Sequence, residues 1–418
     1  MSMCKWTNAE RRSSTMDGPR IIESTAGIPV RILAAMTGLP VLWLYGTSGV
    51  GKTTVTWELF RQLVREGVPT GYLDADQVGM CYDPPTPQNL FPEPAADPGR
   101  YLLQARTLDA VLPNFRDAGA RCVVVPGVTS SVHGVRTDLL PHAALTSCRL
   151  RVEPDGLRSR LAARGNTYED VEGLVRLERD ECASATEECV DTTGLSVAEV
   201  VDRVRARTGW PDLAEPVGNP DPAWPVPDHT PGEILWLHGP TAVGKSDVGW
   251  QVYQQIRRAG VTAAFVDLDQ FGFHRPSPAG DPGNHRLKAA NLASVWRSFR
   301  ASGAQCLVAV GPLDGPGDFA PYIAALPAAT ITLCQLHASR RTLAERVARR
   351  GRGLKSARGL GGDELIGLPP ARLSEIADRA ARLMDALDGF GDLRVDTDDR
   401  PPDGIAAEIL ERTGWPSR

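Results

Sequence analysis

Two segments of the chain have the composition and spacing that backbone amides need to surround a phosphate. Residues 46–53 read GTSGVGKT and residues 239–246 read GPTAVGKS, and both fit the pattern G-x-x-x-x-G-K-[ST]. Glycines allow the backbone to approach a phosphate closely, the lysine supplies a positive charge to the β- and γ-phosphates, and the last hydroxyl can bind Mg²⁺. Because the pattern occurs twice, chance glycine turns are a poor explanation. We expect ATP and Mg²⁺ as ligands.

The predicted nucleotide ligands are both segments together with one residue after each. Lys52 and Lys245 are also predicted to be catalytic through their charge. The full set is Gly46, Thr47, Ser48, Gly49, Val50, Gly51, Lys52, Thr53 and Thr54, followed by Gly239, Pro240, Thr241, Ala242, Val243, Gly244, Lys245, Ser246 and Asp247.

A pair of aspartates follows each glycine-rich segment at the same distance. These are Asp74 and Asp76 in the first half and Asp267 and Asp269 in the second. We expect each pair at the end of a second strand, where alternate residues point the same way and face the phosphate site. One carboxylate could hold hydrated Mg²⁺ and the other could orient or deprotonate an acceptor hydroxyl. The alternative is a helix N-cap, a position that aspartate favours.

Arginines spaced four residues apart form the third repeated feature. The pairs are Arg160 with Arg164 and Arg346 with Arg350, each predicted to lie on one helix face after a fourth strand. Guanidinium groups in that place could offset the charge of a transferred phosphoryl group, although a solvated helix face would have the same spacing. In the second half, residues 351–362 read as a mobile cationic lid.

Weaker signals point to where an acceptor could bind. Residues 127–131 and 311–315 follow the third predicted strands and could line an acceptor pocket, or could be plain turns. His238, directly before the second glycine-rich segment, is expected to pack rather than react. Four polar residues lie on the helices before the third strands and could grip an acceptor: Arg100, Gln104, Lys288 and Asn291.

The elements that must position these residues have the same order in each half. Apolar runs predict strands at 41–45, 70–74, 121–125 and 148–152, and again at 234–238, 262–267, 305–310 and 330–336. Residues 52–65 and 245–258 have helical spacing. Strands that alternate with helices predict an α/β fold in which each parallel sheet is covered by helices on both faces.

The halves are related as tandem copies. Lys52 and Lys245 are 193 residues apart, and matches in the same order continue to RTGWP at 207–211 and 412–416. We predict a first P-loop domain at 38–212, a proline-rich linker at 213–231 and a second P-loop domain at 232–418. Residues 1–37 have no counterpart in the second half and are expected to be a partly disordered extension.

Bulk composition excludes several classes of protein. The net charge of −5 argues against a broad nucleic-acid surface. The eight cysteines contain no CxxC pair and favour free thiols in a reducing cytoplasm. We see no signal peptide, and the apolar stretch 28–45 is interrupted by two prolines and an arginine, so no membrane span is expected.

The P-loops together with the D-x-D-Q sequences at 74–77 and 267–270 resemble the nucleoside-monophosphate-kinase-like small-molecule kinases. This group includes shikimate, gluconate and adenylylsulfate kinases and chloramphenicol phosphotransferase. The resemblance implies that the first acid of each pair supports Mg²⁺ and that the second, Asp76 or Asp269, meets the acceptor hydroxyl. The implied metal ligands are Thr53, Asp74, Ser246 and Asp267.

We therefore expect ATP-dependent phosphotransfer to a hydroxyl of a small molecule. Two alternatives stay open at this point. One is a nucleotide-binding regulator in which one or both halves lack catalysis, and the other is a toxin-like kinase of nucleotide sugars.

Overall fold

A computed structural model describes residues 38–97, 99–129, 134–163, 171–184, 189–211, 227–353 and 365–416. The N-terminal extension, Arg164, most of the linker and the central part of the proposed lid lie outside these residues. The described residues all fall within one compact unit, Thr37–Arg418.

The first half alternates strands with helices. Its strands are β1 (Leu39–Tyr45), β2 (Thr70–Leu73), β3 (Cys81–Tyr82), β4 (Cys122–Pro126), β5 (Ala143–Arg151) and β6 (Cys189–Asp191). Its helices are α1 (Lys52–Arg65), α2 (Arg100–Asp117), α3 (Pro154–Ala163), α4 (Val171–Ser184) and α5 (Val197–Thr208), with short 3-10 helices at Ala75–Val78 and Thr137–Leu139.

The second half repeats this order with longer elements at several positions. Its strands are β7 (Gly232–His238), β8 (Ala263–Asp267), β9 (Phe271–Arg275), β10 (Cys306–Val310), β11 (Ala329–His337) and β12 (Leu393–Asp396). Its helices are α6 (Lys245–Arg258), α7 (His285–Ala301), α8 (Pro316–Ala325), α9 (Arg340–Gly351), α10 (Pro370–Ala386) and α11 (Pro402–Thr413).

The strands form two six-stranded sheets. Their orders are β6-β5-β1-β4-β2-β9 and β12-β11-β7-β10-β8-β3, and every pairing is parallel except the last in each sheet. The central strands are almost continuously apolar because helices cover both faces. The predicted α/β fold class is confirmed.

Each half supplies the antiparallel edge strand of the other half's sheet. Strand β9 pairs with β2, with Tyr72 opposite Phe273, and β3 pairs with β8, with Cys81 opposite Ala264. An uncovered edge strand exposes unpaired backbone groups, and the exchanged strands cover the edges that β2 and β8 would otherwise present. The predicted boundaries at 38–212 and 232–418 stay a prediction, and the strand pairing crosses them.

The two halves also share a core. Trp43, Phe115, Trp236 and Phe299 are buried in a single apolar cluster that includes residues from α2 and α7. Those two helices pack together, and the side-chain amide of Asn114 donates to Asn291 Oδ1 at 3.0 Å. Within the described residues, no helix is long and apolar enough to cross a membrane.

Candidate active site

The first glycine-rich segment forms a loop between β1 and α1. Gly46, Gly49 and Gly51 all have positive φ angles, of 137°, 99° and 105°. A Cβ atom on Gly46 would lie 2.3 Å from the carbonyl oxygen of Leu150, so the loop requires glycine there. The Lys52 ammonium donates to the carbonyl oxygens of Gly46, at 2.8 Å, and of Thr47, at 3.1 Å.

The second loop between β7 and α6 repeats this geometry. Lys245 donates to the carbonyl oxygens of Gly239, at 3.0 Å, and of Pro240, at 3.1 Å. The N-cap residues Gly51 and Gly244 have no side chain that could cap α1 or α6. The first amides of both helices are therefore suited to bind an anion, and each helix dipole favours one.

The first acid of each pair lies at the end of a strand, and the second lies on the turn that follows rather than on the extended strand that we expected. Strand β2 ends at Leu73, and Asp74 is the N-cap of the following 3-10 helix, where its carboxylate accepts from the Asp76 amide at 3.0 Å. Asp267 ends β8 and accepts from the Asp269 amide at the same distance. In each half, the first acid caps the following turn, and that turn brings the second acid beside the first.

Burial changes the acidity of the first acid in each pair. Burial and, to a smaller extent, the charge of Asp76 raise the pKa of Asp74 to about 8. Burial and the charge of Asp269 raise the pKa of Asp267 to about 6. The hydroxyl of Ser246 works in the opposite direction on the pKa of Asp267. A buried carboxylate with a second, half-buried carboxylate beside it is characteristic of a site that receives a cation.

The predicted metal ligands fit Mg²⁺ in the second half. The Ser246 hydroxyl donates to Asp267 Oδ2 at 2.6 Å, so a hydroxyl and a carboxylate converge at the start of α6. Among the described residues, no hydrogen bond joins Thr53 to Asp74, and no group of three or more His, Cys, Asp or Glu residues could hold a metal. Mg²⁺ needs few protein ligands, since it keeps several waters and binds substrate phosphates.

Two glutamines connect the acid pairs of the two halves, and sequence reasoning did not assign them a role. Gln77 Oε1 accepts from the backbone amide of Asp267 at 2.8 Å, and the backbone carbonyl of Gln270 accepts from the amide of Asp74 at 2.9 Å. The signal in the sequence was the glutamine that follows each acid pair. Each half therefore helps to position the acids of the other.

Arg160 and Arg346 support the glycine loops. Arg160 donates to the carbonyl oxygen of Val50 at 2.9 Å and to the hydroxyl and carbonyl oxygens of Thr192, both at 2.8 Å. Arg346 makes the corresponding bonds to Val243, at 2.8 Å, and to Thr397, at 3.0 and 2.8 Å. These contacts give both arginines a positioning role, and direct contact with a transferred phosphoryl group stays a prediction.

The other arginines divide into two groups. Burial lowers the pKa of Lys245, and the charges of Asp269 and Asp267 oppose that effect. The charge of Arg350 lowers this pKa further, which places Arg350 near the second loop. Arg158, Arg340 and Arg341 form exposed ion pairs, as expected of a solvated helix face. Arg164 lies outside the described residues.

The weaker candidates also have defined places. Gln104 lies beside the first acid pair, with its amide 3.4 Å from Asp76 Oδ1, and Lys288 and Asn291 are buried on α7. The amide of Val128 approaches Asp76 Oδ1 at 3.5 Å. For Arg100, only the backbone at the start of α2 is described.

His238 is buried and packs as expected. Its Nε2 lies 2.9 Å from the carbonyl oxygen of Phe390, and burial lowers its pKa to about 4, so the ring is neutral at physiological pH.

The family model for adenylylsulphate kinase matches residues 39–83, which hold the first glycine loop and the first acid pair. The predicted resemblance to P-loop small-molecule kinases is thus confirmed over this segment. A search of curated proteins found no match.

Solved structures with a similar course of the chain include three kinds of protein. The tunicamycin resistance protein of Deinococcus radiodurans is 16% identical with a TM-score of 0.30, and the match covers 44% of this chain and 96% of that protein. The shikimate kinase of Aquifex aeolicus is 16% identical with a TM-score of 0.25, and the match covers 43% of this chain and 96% of the kinase. The APS kinase of Mycobacterium tuberculosis is 20% identical with a TM-score of 0.29, and the match covers 44% of this chain and 99% of the kinase.

Proposed function

We propose that the protein is an ATP-dependent phosphotransferase that moves the γ-phosphate of ATP to a hydroxyl group of a small molecule. The observation that carries this proposal is the convergence of three groups in the second half. The lysine of a glycine loop, the Ser246–Asp267 pair and the second acid Asp269 all lie where β7 and β8 end and α6 begins. The first half repeats the lysine and the two acids.

The glycine loops would bind the phosphates through backbone amides and the lysine ammonium. Lys52 and Lys245 now bond to loop carbonyls, and a bound phosphate would offer each ammonium a stronger, charged partner. In the second half, Ser246 and Asp267 would hold Mg²⁺, which when bound neutralises negative charge on the phosphate oxygens.

Asp76 and Asp269 would act on the acceptor. A carboxylate in this position accepts a hydrogen bond from the acceptor hydroxyl and takes its proton as the new oxygen–phosphorus bond forms and the bond to ADP breaks. Arg160 and Arg346 contribute indirectly, because they fix the loop that carries the phosphates.

We extend the proposal to a cytoplasmic location. The support is that Cys81, Cys122, Cys306 and Cys334 are buried free thiols, which a reducing compartment maintains.

The test is an acceptor screen with purified full-length protein, ATP and Mg²⁺. Products are detected by mass spectrometry as a mass gain of one phosphoryl group. The control is the Lys52→Ala/Lys245→Ala double variant, which should form no product. If the wild type binds ATP but phosphorylates no hydroxylated molecule in a broad metabolite pool, the proposed function is wrong.

A further inference from the structure

Each half presents two buried polar side chains from the helix that precedes its third parallel strand. They are Gln104 and Thr107 on α2, and Lys288 and Asn291 on α7. The pairs occupy equivalent positions: Lys288 follows Gln104 by 184 residues, and Asn291 follows Thr107 by the same number. The DPG sequences at 97–99 and 281–283 have this offset too. Residues three apart lie on one helix face, so the two members of each pair are neighbours.

A glycine packs closely against the first member of each pair, because a Cβ atom there would crowd that side chain. A Cβ atom on Gly79 would lie 3.2 Å from Gln104 Cβ. A Cβ atom on Gly272, which has a φ of 143°, would lie 2.7 Å from Lys288 Cγ and 3.6 Å from Asn291 Nδ2. Gly79 lies between the first acid pair and β3, and Gly272 lies within β9, directly after the second acid pair. The two helix pairs therefore face the same part of each site.

Three of these side chains each have a buried polar atom that lacks a partner. Gln104 Oε1, Thr107 Oγ1 and Asn291 Nδ2 are buried and have no hydrogen bond among the described residues. Within the same residues, the Lys288 ammonium forms no ion pair. It makes a cation–π contact with the ring of Phe273, whose centroid is 5.3 Å away. Buried polar groups are normally hydrogen-bonded, and a buried charge is normally paired. The missing partner is best supplied by a ligand.

The acid pairs lie next to these positions. Gln104 reaches Asp76 Oδ1 at 3.4 Å. Burial lowers the pKa of Lys288, and the charge of Asp269 opposes that effect. A ligand held by the helix pair would therefore have its hydroxyl within reach of the second acid.

We propose that the acceptor of the second half carries an anionic group, such as a carboxylate, sulfate or phosphate ester, which Lys288 and Asn291 bind. The equivalent first-half position, with Gln104 and Thr107, takes an uncharged acceptor. This inference rests on the proposed phosphotransfer and names the substrate class of its two sites. The two halves therefore differ in acceptor charge, while their phosphate loops are alike.

The reason is the cost of an unpaired ammonium. Lys288 is only 5% exposed, and removing a charge from water is costly unless a counter-charge replaces the lost hydration. An anionic acceptor provides that counter-charge, and the Nδ2 amide of Asn291 adds a hydrogen bond. An uncharged acceptor would leave the ammonium without a direct ion-pair partner among the described residues.

The test uses sulfate as a probe of the anionic group. Full-length protein is saturated with ADP and Mg²⁺ and titrated with sulfate by calorimetry, with chloride balancing ionic strength. We expect one sulfate site in the wild type, at least about tenfold weaker binding in Lys288→Gln and retained binding in Lys288→Arg. Gln104→Lys, the reciprocal change in the first half, should create a second sulfate site.

The outcomes separate this inference from the proposed function. Failure of ADP to bind in the same titration would reject the phosphotransferase. Normal ADP binding with equal sulfate affinity in the wild type and in Lys288→Gln would overturn only the anionic-acceptor inference. If Lys288→Gln does not fold, Gln104→Lys decides, because the absence of a second sulfate site in that variant overturns the inference.

Discussion

At the scale of single residues, Asp74 and Asp267 are buried carboxylates that each have a second, half-buried carboxylate beside them, at a place where a cation can bind. The sequence predicted the acids and their shared site, since the D-x-D-Q pattern follows each glycine loop at a fixed distance. It could not predict the turn conformation, because aspartate suits both a strand end and an N-cap. The choice depends on where β2 stops, at Leu73.

The raised pKa of Asp74 predicts a pH-dependent stability. Its folded-state pKa of about 8 exceeds the ordinary 3.8, so ionisation opposes folding as pH rises through that window and stays unfavourable above it. Asp74→Asn should therefore gain stability over the wild type between pH 4 and 8, measured by denaturant unfolding without Mg²⁺ or nucleotide. For Asp267→Asn the gain should level off near pH 6. A gain for Asp74→Asn that does not change with pH would contradict this account.

Substitution of Arg160 should weaken nucleotide binding, because this arginine supports the first glycine loop through Val50 and Thr192. Arg160→Lys keeps the charge but loses the forked bonds to Val50 and Thr192, so the first loop should bind nucleotide roughly ten- to a hundredfold more weakly. The measurement is ADP calorimetry with the second loop disabled by Lys245→Ala. The control is Arg158→Lys on the same helix, where the arginine forms only exposed ion pairs and affinity should not change.

At the scale of elements, the sequence predicted the strands and helices that build each phosphate site. Helices α1 and α6 have the predicted bounds, because their glycine loops and amphipathic spacing mark both ends. It missed β3, β6, β9 and β12, which are two to five residues long. Strands this short carry no clear alternation, and β3 and β9 gain their conformation from pairing with a distant sheet.

The exchange of strands predicts that a first-half residue controls the second site. Gln77→Ala removes the acceptor for the Asp267 amide and should weaken Mg²⁺-dependent ADP binding at the second loop about fivefold or more. Calorimetry on a Lys52→Ala background isolates that loop. Gln88→Ala, an exposed change in the same half, is the control. Equal affinity in both variants would show that Gln77 does not position the second site.

At the scale of the whole molecule, the two halves are held together asymmetrically. Arg257 of α6 is fully buried and donates to the carbonyl oxygens of Asp83, at 3.1 and 2.9 Å, and of Leu90, at 2.7 Å. Its guanidinium also lies over the rings of Tyr82 and Phe91. The repeat indicated two similar halves, but this contact could not be predicted, since it joins segments about 170 residues apart that have no shared motif.

Removal of this contact should destabilise the protein. Arg257→Met leaves the carbonyl oxygens of Asp83 and Leu90 without this donor, at a cost of about 1–3 kcal/mol in the free energy of unfolding. Denaturant unfolding measures it, and Arg258→Met, at the exposed next position, should change stability by less than about 0.5 kcal/mol. Similar small losses in both variants would show that Arg257 does not join the halves.

The central claim is that each half binds the phosphates of a nucleotide against its own glycine loop. Calorimetric titration of the full-length protein with ADP and Mg²⁺ tests it directly. We predict two binding equivalents in the wild type, one in each of Lys52→Ala and Lys245→Ala, and none in the double variant. Undiminished nucleotide binding in the double variant would contradict the account.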